Sequence, residues 1–170
     1  LLQGLRDVEA DLLIVGEGKE KTNLETMVAR LGLEEQVRFA GNRTGQDLVA
    51  HYHAADVFCL PSHLPAEAFS LAQVEAMASG LPVVSCAVGT GVEWVNKDGE
   101  TGFVVPPGRP ERLAGAIRKL LTEPRLRKRM SENARRRARA EFDRDVMIER
   151  VKAVYRWVLN RTSPPPRFVE

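Results

Sequence analysis

Two carboxylates, Glu67 and Glu75, flank Phe69-Ser70-Leu71 at the point where an apolar strand gives way to a helix. Ser70-Leu71-Ala72-Gln73 has the form of a capping box, in which Ser70 caps the helix and Gln73 folds back on it. The stripe expected to face the core is Leu71, Val74 and Ala78, with Met77 beside it. Glu75 falls inside that stripe, at the i+4 position from Leu71. An unpaired polar group in a core costs on the order of 2–7 kcal/mol, so Glu75 needs a partner, either a protein donor or a ligand hydroxyl. The first turn of the same helix offers free N–H groups and the positive end of a dipole, which suit a phosphate. Hydroxyls and a diphosphate side by side describe a nucleotide sugar. Glu67 alone would be an ordinary exposed carboxylate. Beside Glu75 and a phosphate-ready helix end, it becomes a candidate for holding a polar ligand.

Other motifs carry less. Gly16-Glu17-Gly18 follows an apolar run, but Lys21 stands where the dinucleotide fingerprint needs its third glycine. It reads as a tight turn ahead of an NAD site, and still sets Gly16 at the carboxyl edge of a sheet. Gly89-Thr90-Gly91 is either a second loop close to a ligand or an ordinary strand-to-helix connection. His51 and His53 point to different sides of a helix and cannot share a metal; with His63 they read as surface or packing residues. No metal site is expected. Arg125, Arg127, Lys128, Arg129, Arg135, Arg136, Arg137 and Arg139 form a basic stretch. It reads as a solvated helix face, with an anionic acceptor or a membrane surface as the alternative.

The elements that must position these residues alternate. Strands are expected at Leu12–Val15, Val37–Phe39, Val57–Leu60, Pro82–Ser85 and Gly102–Val105. Helices are expected at Glu20–Leu31 (stopped by Gly32), Gln46–Ala54 and Leu71–Ser79. Three more follow at Pro110–Leu121, Pro124–Ala140 and Asp145–Leu159. This rhythm predicts an α/β, Rossmann-like fold. Its parallel sheet should have about five to six strands covered by helices on both faces, with extra C-terminal helices. Residues 1–160 form the domain, and 161–170, with Ser163-Pro164-Pro165-Pro166, should be extended or disordered. A chain of 170 residues with net charge +2 is long enough for one core and gives no sign of a nucleic-acid partner. It has no apolar run near the roughly 20 residues of a membrane helix. Cys59 and Cys86 lie in apolar runs and read as reduced core residues, which fits the cytoplasm.

At these residues the sequence resembles the C-terminal, donor-binding half of the retaining group 1 glycosyltransferases of the GT-B fold, over about residues 11–155. The resemblance runs through Asp11–Gly18, Val37–Gly41, Asp56–Ser62, Glu67–Glu75, Glu75–Val84 and Asp98–Gly108. Ser70 stands where many relatives have glycine. The resemblance implies that Glu75 hydrogen-bonds ribose hydroxyls and that Glu67 touches the donor sugar. The amides of Phe69, Ser70 and Leu71 would face sugar and diphosphate, and Asn42 and Arg43 would line the base. It implies a UDP- or GDP-linked hexose donor, retention of anomeric configuration, and no metal or other cofactor. Acceptors would be glycans or lipid-linked glycans, at the inner face of the cell membrane, with peripheral membrane contact. It implies further an Arg and a Lys just upstream of Leu1 and an N-terminal acceptor domain, neither of them in this chain. Alone, the chain should transfer little or nothing. The alternatives are a GT-B-like sugar-nucleotide epimerase or phosphorylase, or a non-catalytic domain that keeps only the fold. For a phosphorylase, no lysine has a local signature matching a pyridoxal-phosphate site.

Overall fold

The computed structural model describes residues 1–160 and 164–168. The chain runs α1 (Leu2–Leu5), β1 (Leu12–Val15), α2 (Lys21–Leu31), β2 (Val37–Gly41) and α3 (Gly45–His53). It continues through β3 (Phe58–Leu60), α4 (Leu71–Ala78), β4 (Val83–Cys86), α5 (Gly91–Val95) and β5 (Gly102–Val105). Three long helices close it: α6 (Pro110–Thr122), α7 (Pro124–Glu141) and α8 (Arg144–Asn160). Proline occupies the first turn of α6 and α7, where its missing N–H costs nothing. Two helices escape the sequence pattern. α1 and α5 span 4 and 5 residues, too short for periodicity to register.

All strand pairs are parallel, as expected of strand–helix alternation, and helices flank them. The five strands fall into two hydrogen-bonded ladders rather than one continuous one. Ladder bonds join β1 to β2 and, separately, β3 to β4 to β5. The Leu12 N–H donates to Gln36 O and the Gly16 N–H to Gly41 O, so the alternating Leu13 and Val15 N–H groups point away from β2. Likewise the Phe58 N–H donates to Pro82 O, which turns the Cys59 N–H away from β4. β1 and β3 thus each present an open edge. The expectation of two covered faces holds for β4, whose four residues are all buried. It fails for β1, where Leu13 and Val15 are 41% and 38% exposed.

Helix α6 joins the two sheets. Its Ala114 belongs to a core with Leu2, Leu5, Val8, Val28, Leu33 and Val37. Its Leu113 and Leu120 belong to a second core with Val84, Cys86, Val105 and Met130, and Ile117 packs against both. A third core, Met77, Val83, Val95, Ala134 and Ala138, lies beneath α4 and is capped by Phe69, Trp94 and Phe142. Both cysteines are free; burial pushes the Cys59 thiol up to about 12, which keeps it unreactive. Helix α8 buries no residue and exposes a stripe of Met147, Ile148, Val151, Val154, Tyr155, Val158 and Leu159. Of the tail, residues 164–168 have neither helix nor strand, and residues 161–163 and 169–170 lie outside the described residues. No helix among the described residues is long and apolar enough to cross a membrane.

Open edges leave a measurable trace. In this chain the Leu13, Val15 and Cys59 amides should exchange with deuterium faster than those of Leu12, Phe58 and Gly16, by at least about tenfold. Equal protection of both sets, read residue by residue by NMR, would mean that the edges of β1 and β3 are paired.

Candidate functional site

The chemistry-bearing residues follow the carboxyl ends of the strands: Gly16 after β1, Asn42 and Arg43 after β2, Glu67 to Leu71 after β3, and Gly89 to Gly91 after β4. In a parallel α/β fold that edge is where ligands sit. Gly16 has φ +124, a value open to glycine, and its N–H donates to Gly41 O at 2.8 Å, holding the β1 turn against the end of β2. Asn42 and Arg43 are exposed. The Arg43 guanidinium reaches Asp47 on α3 at 3.2 Å, an exposed pair of the kind worth on the order of 0–1 kcal/mol.

The start of α4 differs from the capping box. Ser70 has φ 64 and ψ 92, and it is the one non-glycine residue with positive φ among those described. An N-cap side chain reaches the first-turn N–H groups from an extended backbone, and Ser70 is not extended, so its hydroxyl makes no cap bond. Gln73 does not fold back on Ser70. Its side chain is fully buried and donates through Nε2 to Phe69 O at 3.5 Å and Val92 O at 3.4 Å. The polar glutamine is therefore part of the buried face, with Ala76 and Met77. This rotates the helix from the expected stripe: Leu71 is 70% exposed, and Ala78 and Glu75 are exposed as well.

Glu75 is thus not aimed at a core, yet it has a partner. The Tyr52 hydroxyl on α3 donates to its Oε2 at 2.9 Å. Burial, that bond and the carboxylate's charge together push the Tyr52 phenol well above its ordinary range, so it remains a donor. Among the described residues, the N–H groups of Phe69, Ser70, Leu71 and Ala72 make no hydrogen bond within the chain. They are the orphan donors of a helix start, turned to an open edge.

Glu67 is held from behind. Thr90 Oγ1 donates to the Glu67 carbonyl at 2.6 Å while accepting from the Val92 N–H at 3.4 Å as the N-cap of α5. A Cβ on Gly91 would sit 2.6 Å from Ala68 O, so this contact admits only glycine. Gly89-Thr90-Gly91 is therefore the brace of the Glu67 loop. The Glu67 carboxylate, half-buried, receives Ser62 Oγ at 3.4 Å.

The basic stretch on α7 is only partly a solvated face. Arg127 donates to Leu120 O and Leu121 O, Arg135 to Ser79 O, and Arg137 to Trp94 O and Val95 O. These carbonyls end α6, α4 and α5, so three arginines cap three helix C-termini, where the dipole favours a cation. The sequence signal missed here is spacing: Arg127, Arg135 and Arg137 lie beside the buried Met130, Ala134 and Ala138. Two shallow, open depressions lie away from the carboxyl edge, one along α7 at Arg135, Arg136 and Arg139, the other at Asp56, Pro82 and Arg127. The candidate site is an open surface. His51 bonds the Asp47 carbonyl at 2.7 Å, a packing role as expected.

Residues 1–137 match the family model described as glycosyl transferases group 1. The chain is 37% identical over 142 residues to the D-rhamnosyltransferase WbpZ of Pseudomonas aeruginosa, covering 84% of this chain and 37% of that protein. It is 35% identical over 158 residues to the MMP alpha-(1->4)-mannosyltransferase of Mycolicibacterium hassiacum, covering 93% of this chain and 38% of that protein. The chain thus spans under two fifths of either relative. In fold it is similar to Anabaena Alr3699/HepE, solved in complex with UDP, with a TM-score of 0.83 and 28% identity over 89% of this chain and 43% of that one.

The strained backbone at Ser70 gives a prediction. A non-glycine residue at such a φ costs on the order of 1–3 kcal/mol, and the hydroxyl makes no cap bond that would be lost. Ser70→Gly, after the entropic cost of glycine, should stabilise the fold by about 1 kcal/mol and raise Tm by about 2–4 °C. A lower Tm in a thermal melt would show that the hydroxyl has a structural partner.

Proposed function

The chain belongs to the group 1 glycosyltransferases, and on that premise we propose that its carboxyl-edge site binds the nucleoside-diphosphate sugar that such an enzyme uses as donor. One observation carries the reading: the unspent N–H groups that open α4 lie one turn from the Glu75 carboxylate on the same helix. The N–H groups take the diphosphate, and Glu75 takes the ribose hydroxyls as charge-assisted bonds. Glu67, in front of the Thr90 brace, takes hydroxyls of the sugar. Gly16, Asn42 and Arg43 border the base, and the donor is UDP- or GDP-linked. As the glycosidic bond to the diphosphate breaks, negative charge grows on the leaving group. Fixed N–H dipoles at the helix start stabilise that charge without a metal. The product keeps the anomeric configuration of the donor.

The whole protein extends beyond this domain. Uncovered apolar residues on α8 support a larger body that covers them, including an acceptor-binding domain. This chain by itself transfers little. The acceptor is a glycan or lipid-linked glycan, met in the cytoplasm at the inner membrane face.

Glu75→Gln in the full-length protein should weaken UDP or GDP binding by about 1.5–3 kcal/mol, with Tm unchanged because Glu75 is exposed. Unchanged nucleotide affinity by calorimetry would sink the ribose assignment. Glu67→Ala should weaken binding of the intact sugar nucleotide while sparing the free nucleoside diphosphate, because the Thr90 bond goes to the Glu67 backbone. Equal losses on both ligands would contradict a sugar contact.

A further inference from the structure

Glu75 is an exposed glutamate with three side-chain torsions, and nothing in its own helix fixes where its carboxylate points. Ordering such a side chain costs rotamer entropy, a cost that a binding event would have to meet. The Tyr52 hydroxyl removes that freedom. It comes from α3, a different helix, and lies 2.9 Å from Glu75 Oε2. The tyrosine is itself braced. Its ring stands tilted at 54° against Phe58 of β3 with centroids 6.1 Å apart, and its hydroxyl is also 3.5 Å from Ala72 O. Phe58 in turn packs on the core beneath α4. The donor is thus positioned by β3 and α3, not by Glu75.

We propose that Tyr52 is a positioning residue: by holding Oε2 of Glu75 it aims Oε1 at the ribose diol, and so makes the site selective for ribonucleotides over their 2′,3′-dideoxy forms. This rests on the reading that Glu75 receives the ribose. A carboxylate has about four acceptor positions, so the bond from Tyr52 leaves room for both hydroxyls of a diol. The phenol stays protonated because it is partly buried beside an anion, so it donates throughout the range in which the enzyme works. The bond also ties α3, which opens next to Asn42 and Arg43, to α4, which carries the diphosphate donors. A base contact on one helix and a ribose contact on the other are thereby held in one geometry.

The test uses calorimetry on the full-length protein with UDP, GDP and the 2′,3′-dideoxy form of each. Parent, Tyr52→Phe, Glu75→Gln and the double variant are compared for the tighter ribonucleotide. Tyr52→Phe keeps the ring and its packing, and a melt checks that the fold is intact. It should weaken the ribonucleotide about five- to fifteen-fold and leave the dideoxy form within twofold. The double variant should bind no worse than Glu75→Gln, since both changes remove one linked contact. An equal loss on ribo and dideoxy ligands would reduce Tyr52 to a general structural role, and no loss on either would overturn the proposal. If Glu75→Gln weakens the ribonucleotide and its dideoxy form equally, or neither ribonucleotide binds the parent, the ribose reading of Glu75 fails first and Tyr52 falls with it. If Glu75→Gln weakens the ribonucleotide selectively and Tyr52→Phe does not, only the positioning role is lost.

Discussion

The hydrogen bond from Thr90 to the Glu67 carbonyl is the contact on which the candidate site depends. Residues 61–70 contain no strand or helix, so their backbone has no ladder to fix it. A loop of that kind is ordinarily mobile. Here it is fixed from its inner side, by the Thr90 hydroxyl at Glu67, by Gly91 against Ala68, and by the buried Gln73 amide at Phe69. The last of these also reaches Val92, so one glutamine couples the start of α4 to the start of α5. Fixing the loop from behind leaves its front, with the Glu67 carboxylate and the first N–H groups of α4, free for a ligand. Preorganisation of this kind reduces the ordering cost of binding.

The second constraint is electrostatic and lies at the other ends of the same helices. The starts of α4 and α5 point to the carboxyl edge, so their C-terminal carbonyls gather on the far side, where α7 passes. Arg135 and Arg137 meet those carbonyls, and Arg137 also stacks at 5.6 Å from Trp94 and 5.3 Å from Phe142. A cation at a helix C-terminus is worth typically 0.3–1 kcal/mol, and more when partly buried. The same residues pack over the third core, so charge and apolar burial reinforce one another here. The arginines of α7 are spent on the scaffold in part, and charge count alone says little about what this helix meets outside.

Much of this was legible in the sequence. Each of the eleven elements of fair length has its counterpart in strand–helix alternation, in the prolines opening α6 and α7, and in Gly32 after α2. Glu67, Glu75 and the helix start stand out in the sequence because carboxylates sit beside a strand-to-helix junction. The failures have one physical source: a residue's type does not reveal which way its backbone is turned. Ser70 carries the composition of an N-cap and the torsions of a glycine. Gln73 is polar and fully buried, which shifted the helix face and put Glu75 outside. The split between the two sheets was invisible because pairing is a relation between strands, and each strand reads the same whether or not its far edge is occupied.

The proposed ligand raises an electrostatic difficulty that the helix geometry resolves for Glu75. A nucleoside diphosphate is an anion, and Glu67 and Glu75 are anions as well. At 4 Å, two unit charges in water repel by about 1 kcal/mol, and more where water is excluded. The carboxylates must therefore stand off from the phosphates. From Leu71 to Glu75 the helix rises four residues, roughly 6 Å along its axis, about the step from a diphosphate to the ribose that carries it. Donors at the top of the helix meet acceptors on the ligand, and an acceptor one turn down meets donors on the ligand. Exchanging the two kinds of group would set carboxylate against phosphate and N–H against hydroxyl. The order of donors and acceptors along α4, more than any single contact, is what would match this helix to the proposed sugar nucleotide.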